Sequence, residues 1–356
     1  MNKILNPYLN ARLEIFVYRF RFLGLYIIFG VVSLIIEFFS RNYFLHLKYS
    51  YYISTLSAVS LGIAFAFWAN VRFNFKIPRS RRNKALVYFL IISCFSGSTQ
   101  WILVKLLFFD NIQYELGRLL ISGPLFLLGY LLHRKFSFKD FKKVGVAVYA
   151  NGVEDFREIY DRIGSYPDFI HVDLVDNSMN PNSEEVKPYR LETMKAYWPG
   201  TQVQTHIMSM RPSIWLDQLI PHSDVIYVHA ESEDNIEKLF NKIRASGKNT
   251  GLALTLDTNP NDIIELLKIS DYVLVLTIPN PGFSGQRFDS RGFDLIRKIN
   301  NLSFRNNFIL CIDGGVNENI VNKLQAENIV SGSCVLKSSD PKRKIMRLQT
   351  LGRYES

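Results

Sequence analysis

Four long apolar runs crowd into the first 132 residues, Phe22 to Phe39, Tyr52 to Asn70, Leu86 to Phe109 and Leu116 to Leu132. Each is close to the ~20 residues that an α-helix needs to cross a bilayer, and helices in soluble cores are seldom both this long and this apolar. The charge distribution follows the same division. Residues 1 to 142 carry 18 Lys and Arg against 5 Asp and Glu, whereas residues 143 to 356 carry 24 against 27. The excess of +10 therefore belongs to the front of the chain and flanks apolar runs, which argues against nucleic-acid binding. Arg72, Lys76, Arg79, Arg81, Arg82 and Lys84 lie between the second and third runs, and Arg134, Lys135, Lys139, Lys142 and Lys143 follow the fourth. The other two connections are poor in Lys and Arg, so the positive-inside rule puts both termini in the cytoplasm. With three more runs behind it and no small-residue cleavage site, the first run reads as a retained span rather than a signal peptide. A multi-pass protein of the inner (cytoplasmic) membrane is expected.

Two echoes suggest a repeated two-helix hairpin. The second run ends Asn70-Val71-Arg72-Phe73-Asn74-Phe75 and the fourth is followed by His133-Arg134-Lys135-Phe136-Ser137-Phe138. A basic residue followed by alternating aromatics fits an interfacial anchor, with the cation at headgroup phosphates and the rings in the acyl boundary. With the four-run layout, residues 15 to 138 resemble the GtrA-like family of small membrane proteins. That resemblance implies a membrane lipid partner, polyprenyl phosphate in particular, and a link to polysaccharide synthesis. Glu37 and Lys105 fall near the outer ends of their helices, where a charge can pair or meet a headgroup.

From Lys143 onward the pattern changes to short β-branched runs alternating with amphipathic stretches, separated by Gly, Pro, Asn and Asp. This predicts βαβ units. Strands are expected at Val144–Tyr149, Asp168–Leu174, Gln202–Ile207, Val225–Val228, Gly251–Thr255, Tyr272–Thr277, Phe308–Ile312 and Ile329–Ser331. Eight in about 210 residues fit a compact (β/α)₈ TIM barrel. An open doubly wound sheet would carry a Gly-rich phosphate turn after its first strand, and Tyr149-Ala150-Asn151-Gly152 is not one. The predicted architecture is an α-helical four-span membrane domain over residues 1–140, followed by an α/β barrel over 141–356. Cys94, Cys311 and Cys334 are an odd set inside apolar stretches and read as small hydrophobes rather than a disulfide framework.

The chemistry-bearing residues sit where barrel enzymes place theirs, at the C-terminal ends of strands. His171 and Asp173 are two apart on the second strand and share a face. His206 ends the third strand and Asp313 follows the seventh. Two imidazoles and two carboxylates from three strands suit one divalent metal ion, Zn, Fe, Mn or Co. Gly-rich turns then recur at Asn280–Gln286, Asp313–Val316 and Ser331–Ser333, in the zone where barrels often bind a phosphate.

His171 to Asp176 with Pro181-Asn182, Thr205 to Met208, His229-Ala230-Glu231, Asn280 to Gln286, Asp313 to Val316 and Gly332-Ser333 run in the order of the ribulose-phosphate 3-epimerase family, which the second half resembles throughout. The resemblance implies that His171, Asp173, His206 and Asp313 hold the metal and that Asp173 and Asp313 are the acid/base pair. It also implies that Met208 lines the pocket and that Gly282, Phe283, Ser284, Gly285, Gly314, Gly315, Gly332 and Ser333 receive the phosphate of a ketose phosphate. A homo-oligomer is expected on the same ground. Inverting a carbon beside a ketone needs a base on one face and an acid on the other, which two carboxylates supply. The wall departs from the family pattern. The Ser usual at the end of the first strand is missing from Val146-Ala147-Val148-Tyr149-Ala150, Val175 and Leu276 stand where methionines are usual, Thr255-Leu256 replaces Asn-Pro, and Pro279 is extra. A second reading is a lipid-linked sugar transporter or scaffold whose barrel binds a sugar phosphate without turning it over.

Overall fold

The computed structural model describes residues 7–75, 77, 82–107, 111–138, 142–150, 155–283 and 285–351. Ser284 of the phosphate turn lies outside these, as do Lys76, Arg79, Arg81 and Lys139 of the basic segments. The chain divides into two compact units, one holding Val17–Asp140 and the other the barrel together with the chain up to Phe16.

α1 (Pro7–Arg19) belongs up to Phe16 to the barrel unit, and the other unit is built from α2 (Arg21–His46), α3 (Tyr51–Ala69), α4 (Arg82–Leu107) and α5 (Asn111–Leu132). All four apolar runs are helical over their described residues. Two stretches, Pro7–His46 and Tyr51–Asn74, are long and apolar enough to cross a membrane among the described residues. The α2–α3 hairpin closes through small residues. Ser54, Ala58 and Gly62 form an i, i+4, i+8 stripe buried on α3, and the Ser33 hydroxyl donates to the Gly62 carbonyl at 2.7 Å. A methyl group at Gly62 would stand 3.0 Å from that hydroxyl oxygen, so the small residue is what lets the helices approach. Leu34, Phe38 and Phe39 are more than half exposed on α2, as a lipid-facing surface requires.

The two echoed motifs form matching structures. α3 and α5 each run on into a π-helical turn, Asn70–Asn74 and His133–Phe138. Inside each, one side chain bonds to another four residues on, Asn74 Nδ2 donating to Asn70 Oδ1 and His133 Nδ1 meeting Ser137 Oγ, both at 3.0 Å. The rings do not all face lipid as an interfacial anchor would have them. Phe73 and Phe136 are exposed, but Phe75 and Phe138 are buried and stack on each other, centroids 4.2 Å apart and planes 16° from parallel. The extra residue in a π turn brings the last ring inward, so half of each motif joins the two hairpins.

The second unit is a closed barrel of eight parallel strands in sequential order: β1 (Lys143–Tyr149), β2 (Phe169–Val175), β3 (Gln202–Met208), β4 (Val225–His229), β5 (Asn249–Leu254), β6 (Tyr272–Leu276), β7 (Ile309–Asp313) and β8 (Asn328–Val330). Each lies within two residues of its sequence-based expectation. The helices between them bury one stripe against the strands, as Leu295, Ile296 and Ile299 do in Arg291–Asn300. Inside the barrel large and small residues interlock. A Cβ on Gly145 would come within 2.1 Å of the Phe169 ring, and one on Gly251 within 2.3 Å of the Tyr227 ring. These glycines are the holes into which the two rings fit.

Two features at the N-terminal ends of the strands were not anticipated. Ala11 and Ile15 of α1 are buried in the barrel's hydrophobic core, Arg12 pairs with Asp168 at 3.2 Å, and Glu14 accepts a short hydrogen bond from the Tyr166 hydroxyl. Lys142, counted above among the cytoplasmic basic residues, is buried, its ammonium donating to the carbonyls of Leu324 and Ala326 at 2.6 and 2.7 Å. Its charge is spent inside the fold.

Candidate active site

The strand register brings the four expected ligands to one point. β2 pairs with β3 so that Asp173 lies beside His206, and the inward alternation of β2 puts His171 one step below Asp173. β7 ends at Asp313. One ligand atom from each of His171, Asp173, His206 and Asp313 lies within 4.8 Å of every other. The Asp173 Oδ1 atom is 3.4 Å from His171 Nε2 and 3.3 Å from His206 Nδ1, and Asp313 Oδ2 is 3.8 and 3.9 Å from the same nitrogens. Four ligands at ~2.0–2.1 Å around a tetrahedral ion would stand roughly 3.3–3.4 Å apart, a spacing that Asp173 already has to both imidazoles, while Asp313 stands farther out and would draw in around a bound ion. Neither ring nitrogen of His171 makes a well-formed hydrogen bond among the described residues, although the ring is fully buried, and Nε2 meets the Asp173 carboxylate only at 3.4 Å. Buried polar atoms are normally satisfied, and a metal ion is the partner this donor set fits.

The two carboxyls are pushed in opposite directions. Burial works against ionised Asp173, but His171 and His206 more than offset it and hold the group well below the usual carboxylate range. Asp313 is raised, first by burial and then by the negative charge of Asp173. Burial lowers His206 to about 4, keeping it neutral. Two carboxyls with proton affinities driven apart, one held ionised and the other drawn toward its protonated form, are the arrangement that acid/base chemistry on two faces of a carbon needs.

Above the cluster opens a pocket lined by Asp173, Met208, Gly282, Phe283, Gly285, Asp313, Gly314, Gly315, Gly332 and Ser333. These are the described members of the set expected from sequence, with His171 and His206 beneath them. Gly314 and Gly315 have φ of +104° and +67°, and a Cβ on Gly315 would fall 2.1 Å from the Phe288 backbone nitrogen. Only glycine fits there, and the turn leaves backbone at the pocket wall. The structure adds Ala147, Tyr149, Ile278 and Gln286 to the lining, and of the two wall positions expected from sequence, Leu276 lines the pocket whereas Val175 is not among the lining residues. Tyr149 was readable only as the absence of the usual Ser. Its place at the end of β1, beside Asp173 in register, puts a phenol on the pocket wall.

Residues 147–336 match the ribulose-phosphate 3 epimerase family and residues 25–138 match the GtrA/DPMS transmembrane domain. Among curated relatives, the ribulose-phosphate 3-epimerase of Helicobacter pylori strain J99 is 31% identical over 205 residues, covering 55% of this chain and 93% of that one. The enzyme of the same name from Buchnera aphidicola subsp. Schizaphis graminum is 33% identical over 189 residues, 51% of this chain and 75% of its own. That of Escherichia coli strain K12 is 25% identical over 193 residues, 51% and 83%. With the eight-stranded barrel and its His/Asp cluster, these matches establish that the chain is an enzyme of the ribulose-phosphate 3-epimerase family, with a GtrA/DPMS transmembrane domain on its N-terminal side.

Proposed function

We propose that the barrel epimerises a ketose phosphate at C3, interconverting ribulose 5-phosphate and xylulose 5-phosphate or close relatives, by proton transfer between Asp173 and Asp313. The observation that carries this reading is the pair itself, two carboxyls in one buried cluster with proton affinities driven apart. Asp173 removes the C3 proton from one face of the sugar and Asp313 delivers a proton to the other, the roles exchanging in the reverse direction. A divalent ion held by His171, Asp173, His206 and Asp313 would supply a Lewis acid that stabilises the negative charge gathering on the substrate's oxygens. Met208 closes the pocket beside the reacting carbons. Gly282, Phe283, Ser284, Gly285, Gly314, Gly315, Gly332 and Ser333 hold the phosphate in this reading, fixing C3 between the carboxyls. Purified protein given ribulose 5-phosphate and its C3 and C4 relatives should turn over at least one, and failure on all would leave a binding barrel.

The membrane half is proposed to cross the bilayer four times, α2 to α5, with both termini and the barrel in the cytoplasm of an inner-membrane protein. The exposed basic residues Arg72 and Lys135 support this orientation. It would place the product beside a membrane-bound polysaccharide pathway, with polyprenyl phosphate as the lipid partner and a homo-oligomer as the working form. The alternative, a transporter or scaffold with a non-catalytic barrel, draws support from the altered wall at Tyr149 and Leu276. The retained carboxyl pair weighs against it.

A further inference from the structure

The His229-Ala230-Glu231 motif has no part in the chemistry described so far, yet it reaches the cluster through one side chain. His206 presents Nδ1 to Asp173 and Asp313, and its other nitrogen, Nε2, lies 2.9 Å from Nε2 of His229. The opposite nitrogen of His229, Nδ1, is 3.1 Å from Glu231 Oε2. Glu231 is anchored in turn, its Oε1 accepting from the Thr255 amide at 3.3 Å, from the Thr255 hydroxyl at 3.0 Å and from the Thr258 hydroxyl. Both imidazoles are fully buried and the carboxylate is 31% exposed, so the chain runs from a partly exposed carboxylate to the buried cluster.

Proton counting along this chain leaves little freedom. A nitrogen that faces a metal ion must present its lone pair, so a neutral His206 carries its one proton on Nε2. That proton points at His229 Nε2, which must then accept. The proton of His229 is thereby placed on Nδ1, where the Glu231 carboxylate receives it. We propose that Glu231, acting through His229, is a positioning device that fixes the tautomer and ring orientation of His206, keeping its Nδ1 lone pair aimed at the space between Asp173 and Asp313. The proposal rests on the metal reading of the cluster and adds to it a source of order two residues removed. Partners of this kind, standing behind a metal-facing imidazole, typically contribute 10- to 100-fold in metal affinity.

The test uses the full chain, purified in detergent and stripped of metal, and the probe is Zn²⁺ alone. His229→Phe keeps a ring of similar size but has no acceptor, whereas His229→Gln has no ring but retains an acceptor. Zinc binding should weaken on the order of 10- to 100-fold in His229→Phe and recover substantially in His229→Gln. Glu231→Leu, which does not touch His206, should weaken it as well. In ¹⁵N-histidine-labelled, metal-free protein, His206 should be protonated on Nε2 in the wild type and a mixture of tautomers in Glu231→Leu. Packing alone makes the opposite forecast, with Phe harmless and Gln damaging, and that result would overturn the relay. So would a wild-type tautomer spectrum in Glu231→Leu with unchanged zinc affinity, a comparison that holds even if the His229 variants do not fold. Wild-type protein that binds no Zn²⁺ would instead remove the metal reading, and the relay with it.

Discussion

At the scale of single residues, the site depends on an asymmetry between two like groups. Asp173 sits between two imidazoles, while Asp313 meets Asp173 across the cluster with less positive charge to offset it. Removing either carboxylate leaves half of a two-sided proton transfer. Asp173→Asn and Asp313→Asn should therefore each lower epimerisation by about 10²-fold or more, measured as the rate of sugar interconversion. A variant retaining near-wild-type turnover would exclude that group as acid or base. His171→Ala opens the cluster from beneath, and elemental analysis after metal loading should find less than the about one ion per chain expected of the intact four-ligand site. The glycines are equally specific. Gly315→Ala puts a methyl group against the Phe288 backbone nitrogen at a positive φ. It should raise KM for the phosphorylated substrate while leaving binding of Zn²⁺ unchanged, and parallel loss of both would mean that the turn supports the cluster rather than the phosphate.

At the scale of elements, the eight strands were legible because their β-branched runs are short and punctuated, and the ligands were legible because barrels present chemistry at strand ends. What escaped were relations between distant segments. Nothing in Asn70–Phe75 or His133–Phe138 announces that alternate rings turn inward, since a π turn shifts the phase of a helix by a residue without a sequence mark of its own. Nor does α1 announce its partner. Ala11 and Ile15 look like the start of a membrane helix, and only the fold shows them in the barrel core. Tyr149 was visible as a departure, but its role as pocket wall needed the strand register. Two expectations follow. Ile15→Asp places a charge in that core and should lower the unfolding midpoint of the detergent-solubilised protein markedly, because an unpaired buried charge costs several kcal/mol, roughly 3–5. A midpoint equal to wild type would show that α1 contributes nothing to the barrel. Phe75→Ala should cost about 3–5 kcal/mol by emptying a fully buried site, read as a loss of thermal stability with the barrel's metal binding intact.

At the scale of the whole molecule, a family barrel follows a membrane domain on one chain, and the two halves obey different solvents. The first exposes Leu, Ile and Phe along its helices, while the second buries them behind amphipathic helices. In the proposed topology the charge bias of the connections puts the barrel on the cytoplasmic side. Cysteines placed at Asn42 and Asn111, in a background lacking Cys94, Cys311 and Cys334, should react with an impermeant thiol reagent in intact cells. Those placed at Ser80 and Ser290 should react only after lysis. Labelling at Ser290 in intact cells would put the barrel on the outer side.

The account as a whole stands on proton exchange at a single carbon. The most direct measurement is turnover of ribulose 5-phosphate by the full-length protein in deuterium oxide, with the product's C3 position examined for label. Proton removal by one carboxyl and return by the other predicts solvent deuterium at C3 of the xylulose 5-phosphate formed, and loss of that labelled product in both Asp173→Asn and Asp313→Asn. Epimerised product with no deuterium at C3 would contradict the mechanism at its centre.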